Sequence, residues 1–330
     1  MTPAAIDHAA IPQLLAERGL CSADAVVSPI GEGHSNLTYL VADESSRVVV
    51  RLSPHGGDSL EREAAILRGL AGTAVPVPRV LASWGAEALG APMYAMSFAD
   101  GAIITTRTPD ALATPGLRGR IGESLVATLA MLHAVDWRSV GVPGRPEGFN
   151  RRHLARVAAI VADGDGGLAE PFRPVHEWLA AHVPDESGAS LVHNDFRIGN
   201  IVIDDDADPG AVAAVLDWEL AAVGDPLLDI AYLAASIPTP GCPTTPVRAL
   251  STAFLEPGYP DRAALLDDYS DAAGRGLDDI AWHLALTQFK LAALYEYSHR
   301  RTLAGDGDEY YRDHALVDQF LAAAGDEIAG

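Results

Sequence analysis

Leu191-Val-His-Asn-Asp-Phe-Arg-Ile-Gly-Asn200, followed by Leu216-Asp-Trp-Glu219, decides how this 330-residue chain reads. Between the two lie β-branched apolar runs, Ile201-Val-Ile203 and Ala211-Val-Ala-Ala-Val-Leu216, on either side of Asp204-Asp-Asp-Ala-Asp-Pro-Gly210. Clusters of Asn, Asp and Gly between apolar runs ordinarily mark solvated turns, and a plain turn would account for Asn194, Asp195, Gly199 and Asn200 without any chemistry. The flanking runs say more. They read as a hairpin whose polar tip is the Asp-rich segment, with Asn200 at the start of one strand and Asp217 at the end of the other. Antiparallel pairing then brings those two side chains together.

His193, Asp195 and Asn200 stand at the spacing H-x-D-x-x-x-x-N. Transfer of a phosphoryl group from ATP asks for an acceptor hydroxyl aligned by a carboxylate, and for metal ions held on the phosphates by oxygen ligands. A loop of that spacing supplies the aligning Asp and one metal ligand, and a second Asp further along supplies the other. Asp217 stands where that second ligand is needed.

With Gly224-Asp-Pro-Leu-Leu-Asp-Ile-Ala-Tyr232 added, these segments resemble the aminoglycoside phosphotransferase and choline kinase superfamily, and the likeness runs over most of the chain to about residue 303. The resemblance implies an α+β, bilobal, protein-kinase-like fold. A small antiparallel-sheet N-terminal lobe would take residues 1–99, and a mainly helical C-terminal lobe with the catalytic and acceptor sites would take 100–330. It also implies ATP or another nucleoside triphosphate as donor, Mg2+ as cofactor, Asp195 as catalytic base, and Asn200 and Asp217 as magnesium ligands.

In the N-terminal part, residues 4–18 read as a helix ending at Gly19. Three strand-like runs follow, Ala25–Ile30, Leu37–Val41 and Arg47–Leu52. The loop Gly31-Glu-Gly-His-Ser-Asn36 can bring backbone N–H groups close to phosphates, because glycine has no Cβ in the way. Simple hairpin geometry explains it as well. The family has a similar G-x-S-N stretch, matched by Gly33, Ser35 and Asn36, so Gly31, Gly33, Ser35 and Asn36 are nucleotide-binding candidates. The third strand offers Arg51 where kinases carry a lysine for the α- and β-phosphates. Arginine stays charged and forks bidentately, which changes the phosphate geometry. Its expected partner is Glu63, since Arg62-Glu63 precedes an apolar helical stripe as in the family; Glu61 stays open as the alternative, as does a plain charged helix surface. Strand-like runs Arg79–Trp84 and Pro92–Phe98 lead to Ala99-Asp-Gly101, the expected hinge. By resemblance alone, Met96, Ser97 and Phe98 lie beside the adenine.

Beyond the hinge the periodicity turns helical: Gly116–His133, about 150–163, about 170–182, Leu227–Ala235, Thr245–Phe254, Arg262–Ala272, Leu277–Arg300 and Asp308–Ala323. His133 reads as a core or capping residue. Asp225 and Pro226 suit an N-cap and first helical position, and either Asp225 or Asp229 could brace the catalytic loop. Gln288, Lys290, Tyr295, Glu296 and His299 sit on the long helix that walls the acceptor site in this superfamily, but their spacing decodes no acceptor.

The 45 acidic and 23 basic residues give a net charge of −22, which argues against a basic nucleic-acid surface. An acidic surface could draw in cationic acceptors such as aminoglycosides, although scattered acidity serves solubility first. No apolar run is long enough to span a membrane, the N-terminus has no signal-peptide pattern, and Cys21 and Cys242 form neither a disulfide framework nor a metal spacing. The expectation is a cytoplasmic monomer or homodimer that phosphorylates a hydroxyl on a small molecule, either an antibiotic (aminoglycoside, macrolide or nucleoside) or a hydroxylated metabolite or hydroxyacyl-CoA. Arg51 in place of lysine keeps a non-catalytic nucleotide-binding scaffold as the rival. A protein kinase is disfavoured, because Leu216-Asp-Trp-Glu219 runs directly into Gly224-Asp-Pro226 with no room for a long activation segment.

Overall fold

The computed structural model describes residues 8–30, 36–54, 58–163, 166–242 and 244–330. Helix α1, Ile11–Ala16, is preceded by a 3-10 turn at His8–Ala10; it is shorter than the expected 4–18, whose first residues lie outside the described ones. Strands β1 (Val26–Pro29), β2 (Leu37–Ala42) and β3 (Arg47–Leu52) are followed by helix α2 (Asp58–Leu70), then β4 (Val80–Trp84) and β5 (Met93–Ser97). They form one antiparallel sheet in the order β1-β2-β3-β5-β4.

The alternation of β3 explains what each face does. Val48, Val50 and Leu52 bury against Ile11, Leu15 and Val41, while Val49 joins Leu60, Leu67 and Leu70 of α2. Arg51 has the same parity as Val49, so the pleat aims its side chain towards α2.

After β5 the chain gives one short strand, β6 (Ala102–Ile103), and then helices α3 (Pro115–Ala134), α4 (Phe149–Val161) and α5 (Arg173–Ala181). The candidate catalytic segment is built from β7 (Ser190–Val192), β8 (Ile201–Ile203), β9 (Val212–Val215) and β10 (Ala222–Gly224). Strand β8 pairs with β9 as expected, Ile201 opposite Val215, and on its other edge with β6; β7 pairs with β10. Helices α6 (Leu227–Ser236), α7 (Pro246–Ala249), α8 (Arg262–Ala273), α9 (Ile280–Leu303) and α10 (Ala315–Ala329) complete the fold. The helix expected over Thr245–Phe254 is only α7 and a separate 3-10 turn at Thr252–Leu255.

The largest apolar cluster joins α2 and Tyr94 of β5 to Leu125 and Leu129 of α3, Ile201 and Trp218. A second one packs α4, α5, α9 and α10 around Phe149, Phe172, Trp282, Phe289 and Phe320. Leu191, Ile201, Ile203, Val215 and Val223 of β7 to β10 belong to the first of these clusters. Among the described residues, no helix is long and apolar enough to cross a membrane.

Candidate active site

Every strand residue of β8 is buried, and the apolar Ile-Val-Ile run pulls the start of the hairpin into the core. That fixes Asn200, the last residue of a 3-10 turn at Ile198–Asn200. The Leu216 N–H donates to the Asn200 carbonyl at 2.9 Å, which holds the turn beside the end of β9. Asp217 then adopts a left-handed conformation, φ 66° and ψ 64°, before the 3-10 turn Trp218–Leu220. Outside glycine such a conformation is favoured mainly by Asn and Asp, and it turns the Asp217 carboxylate out of the strand direction.

The Asn200 side-chain amide donates from Nδ2 to Asp195 Oδ2 at 2.7 Å and to the Asp195 carbonyl at 2.9 Å. Its Oδ1 is therefore the atom left to accept a cation. His193 is fully buried and braces the loop. It accepts the Asp195 N–H at Nδ1, 3.3 Å, and bonds the Leu216 carbonyl from Nε2 at 2.8 Å. The first bond makes Nδ1 the acceptor, so Nε2 carries the proton. Its ring meets Trp218 edge-on, 4.8 Å between centroids.

Asp229, on the second residue pair of α6, settles which of the two helix carboxylates holds the catalytic loop. Its Oδ2 accepts the His193 N–H at 2.6 Å and its Oδ1 accepts the Asn194 N–H at 2.7 Å. Asn194 is the other left-handed non-glycine residue of the described chain, φ 65°, and its Nδ2 donates to the Leu220 carbonyl at 2.9 Å. Behind Asp229 stands His133, 3.2 Å from Oδ2 through Nε2 and 2.7 Å from the Tyr269 hydroxyl through Nδ1, so it is a buried connector. Burial alone would raise the Asp229 pKa, but the His133 contact and the loop N–H groups outweigh it and hold the carboxyl below its ordinary range. Asp225 does something else. It accepts the Leu227 N–H at 3.0 Å, as an N-terminal cap, and also binds Ser187 and Asn150.

Arg51 sits where two parts of the chain meet. It forms an ion pair with Glu63, with Nη1 also 3.1 Å from Asp217 Oδ1 and Nη2 3.5 Å from Glu219 Oε2. Glu63, not Glu61, is the partner because it lies on the buried stripe of α2 with Leu60, Ala64 and Leu67. Burial pushes the Glu63 carboxyl up to about 7, against the opposing pull of Arg51. Glu219 receives Asn36 Nδ2 at 3.0 Å as well, so the glutamate of the Leu-Asp-Trp-Glu segment ties the sheet to the catalytic hairpin.

Of the other expected nucleotide contacts, Gly31, Gly33 and Ser35 lie outside the described residues. Met96 is buried in the main core, and Ser97 binds Arg79 through both its N–H and its hydroxyl. The Phe98 ring is covered by Arg47, 4.5 Å from guanidinium carbon to centroid. The structure therefore brings Asp195, Asn200, Asp217, Arg51, Glu63 and Asn36 into one neighbourhood, linked by the contacts above. Sequence spacing left Asp229 undecided and gave no role to Lys290, whose Nζ donates to the Asn194 carbonyl at 2.8 Å.

Oxygen donors of one carboxylate and one amide suit magnesium, which keeps waters and shares its sphere with phosphates. Asp217 meets that need with a half-exposed side chain and only one oxygen engaged. Among the described residues no cluster of three His, Cys, Asp or Glu forms a protein-only metal cage.

The profile of the phosphotransferase enzyme family matches residues 26–282, which contain all of these groups except Lys290. A solved structure of a candidate aminoglycoside phosphotransferase from Ralstonia eutropha JMP134 is 24% identical, covers 97% of this chain and 99% of its own, and superposes with a TM-score of 0.77. A thermostable mutant of aminoglycoside phosphotransferase APH(4)-Ia, in ternary complex with AMP-PNP and hygromycin B, gives 0.66 at 17% identity, with 97% and 99% covered. Probable acyl-CoA dehydrogenase IBR3 of Arabidopsis thaliana is 30% identical over 314 residues, a match that covers 85% of this chain and 37% of the relative. The chain spans about a quarter to two-fifths of the length of the curated relatives it matches. Profile, superposition and the linked Asp195, Asn200 and Asp217 agree: the chain belongs to the phosphotransferase enzyme family and has its protein-kinase-like fold.

Proposed function

We propose that the protein is a magnesium-dependent O-phosphotransferase that moves the γ-phosphoryl group of ATP to a hydroxyl on a small molecule. The observation that carries this is the arrangement at the hairpin mouth: Asp195 fixed by the Asn200 amide, and Asp217 turned out of its strand beside Arg51. Asp195 orients the hydroxyl and accepts its proton. A carboxylate is a weak base, but the loose transition state of phosphoryl transfer asks for alignment more than basicity. Asn200 Oδ1 and the Asp217 carboxylate are the donors for magnesium, which when bound neutralises charge between the phosphates. Arg51, held by Glu63, and the 31–36 loop keep the triphosphate in line, with Met96, Ser97 and Phe98 flanking the base.

For the acceptor, the solved neighbours and the curated relatives point in different directions. Neighbours named for aminoglycosides resemble this chain in fold. The curated relatives, 27–30% identical, are named as acyl-CoA dehydrogenases, and this chain matches only part of each. A phosphotransferase-like portion joined to such a protein favours a hydroxyacyl-CoA over an antibiotic.

The test is ATP-dependent mass gain of one phosphate across a panel of hydroxyacyl-CoA thioesters, aminoglycosides, macrolides and nucleosides. Asp195→Ala and Asp217→Ala are expected to lower transfer by about two orders of magnitude or more while the circular dichroism spectrum stays native. Near-normal turnover in Asp195→Ala would sink the mechanism. ATP binding without transfer to any acceptor, water included, would favour the scaffold reading.

A further inference from the structure

The two oxygens of Asp195 face different surroundings. Oδ2 accepts the Asn200 amide, on the side of the metal donors. Oδ1 faces Arg197, whose Nε is 3.6 Å away. The Arg197 guanidinium lies over Gly199, where a Cβ would come within 2.4 Å of Nη1, so the glycine makes room for it. Among the described residues it makes that one ion pair and no hydrogen bond, which leaves most of its five donors unused.

Lys290 of α9 approaches the same loop. Its ammonium, half-buried, donates to the Asn194 carbonyl and stands 5.1 Å from the centre of the Tyr232 ring. Tyr232 in turn neighbours Asp195. Lys290 lies past residue 282, where the family match ends. Burial lowers the Lys290 pKa, with the Asp195 and Asp229 carboxylates pulling the other way. So in a chain of net charge −22, the surroundings of Asp195 hold two cations and an aromatic ring.

Resting on the phosphotransferase reading, we infer that Arg197 and Lys290 select an anionic acceptor, a hydroxy compound bearing a carboxylate or phosphate, and turn away polycationic ones. An aminoglycoside hydroxyl reaching Asp195 Oδ1 would bring ammonium groups against both cations, and like charges brought together in a half-desolvated site are strongly disfavoured. A carboxylate or phosphate there gains charge-assisted hydrogen bonds from a planar fork and a point charge.

Binding separates this from catalysis. With AMP-PNP and magnesium present, calorimetry would compare 3-hydroxydecanoate, 3-hydroxybutyryl-CoA, the neutral methyl ester of 3-hydroxydecanoate, and kanamycin. The acid is expected to bind about tenfold or more tightly than its ester, the weight of one charge-assisted contact. Arg197→Leu and Lys290→Met are expected to erase that ratio, and Lys290→Arg to keep it. Equal binding of acid and ester, tighter binding of kanamycin, or no binding of either anion overturns the inference. So does a loss confined to AMP-PNP affinity in the variants with the acid-to-ester ratio intact, since the cations would then serve the γ-phosphate. The phosphotransferase reading stands or falls separately, on ATP turnover by the wild-type protein.

Discussion

Asp229 shows what one buried carboxylate does for a loop made of unusual backbone. The left-handed turn at Asn194 presents two successive N–H groups, and both end on Asp229. Asp229→Asn replaces one acceptor with a donor facing an N–H, a change worth about 1–3 kcal/mol when buried. The expected result is a lower melting temperature and a fall in kcat larger than any change in ATP affinity, read by steady-state kinetics and nucleotide titration. The pH dependence follows from the same carboxyl. Its folded pKa lies below the ordinary value, so its stabilisation is present above about pH 4 and is lost as pH falls through the folded value. The gap in unfolding free energy between wild type and Asp229→Asn should therefore be widest near neutral pH and close on acidification. Asp195 and Asn200 were legible in the sequence because their relation is local, five residues in one loop. Asp229 was not separable from Asp225, because only the phase of α6 against β7 and the loop decides which carboxylate reaches back.

At the scale of elements, Gly101 controls how the first part of the chain joins the catalytic hairpin. Its φ is 131°, and a Cβ would meet the Ile203 carbonyl at 2.3 Å, because β6 crosses tightly onto β8. Gly101→Ala must push β6 off β8 or strain both, at a cost of about 1–3 kcal/mol. A melting temperature unchanged by this substitution would show that the β6–β8 pairing carries no weight. Strands β2, β3 and β5 and helices α2, α3 and α8 could be read from apolar periodicity to within a few residues. Strand β6 could not, since two residues carry no period. The Thr245–Phe254 helix failed for a related reason: Leu250 fits the stripe but is exposed, and Ser251 at φ −128° interrupts the helical run.

For the whole molecule, Arg51 is one of the side chains through which the sheet and the β8–β9 hairpin meet. The Arg51–Glu63 pair was expected from the family resemblance, with Glu61 left open by the spacing; the reach to Asp217 and Glu219 was not, because nothing local sets how the two lobes meet. A fork can hold Glu63 on one side and still face Asp217 and Glu219, whereas a single ammonium cannot span all three. Arg51→Lys is expected to keep the Glu63 contact, lose the other two, and raise KM for ATP by about an order of magnitude, the scale of a lost charge-assisted contact. An unchanged KM would mean that the arginine serves closure of the lobes alone.

Those same bridges have a mechanical side. Asn36 to Glu219, Arg62 to the Ala221 carbonyl and Arg51 to Asp217 fasten the sheet and helix α2 to the stretch just after β9. The three attachment points, Asp217, Glu219 and Ala221, lie along one short stretch, so a shift of that stretch is felt at all of them together.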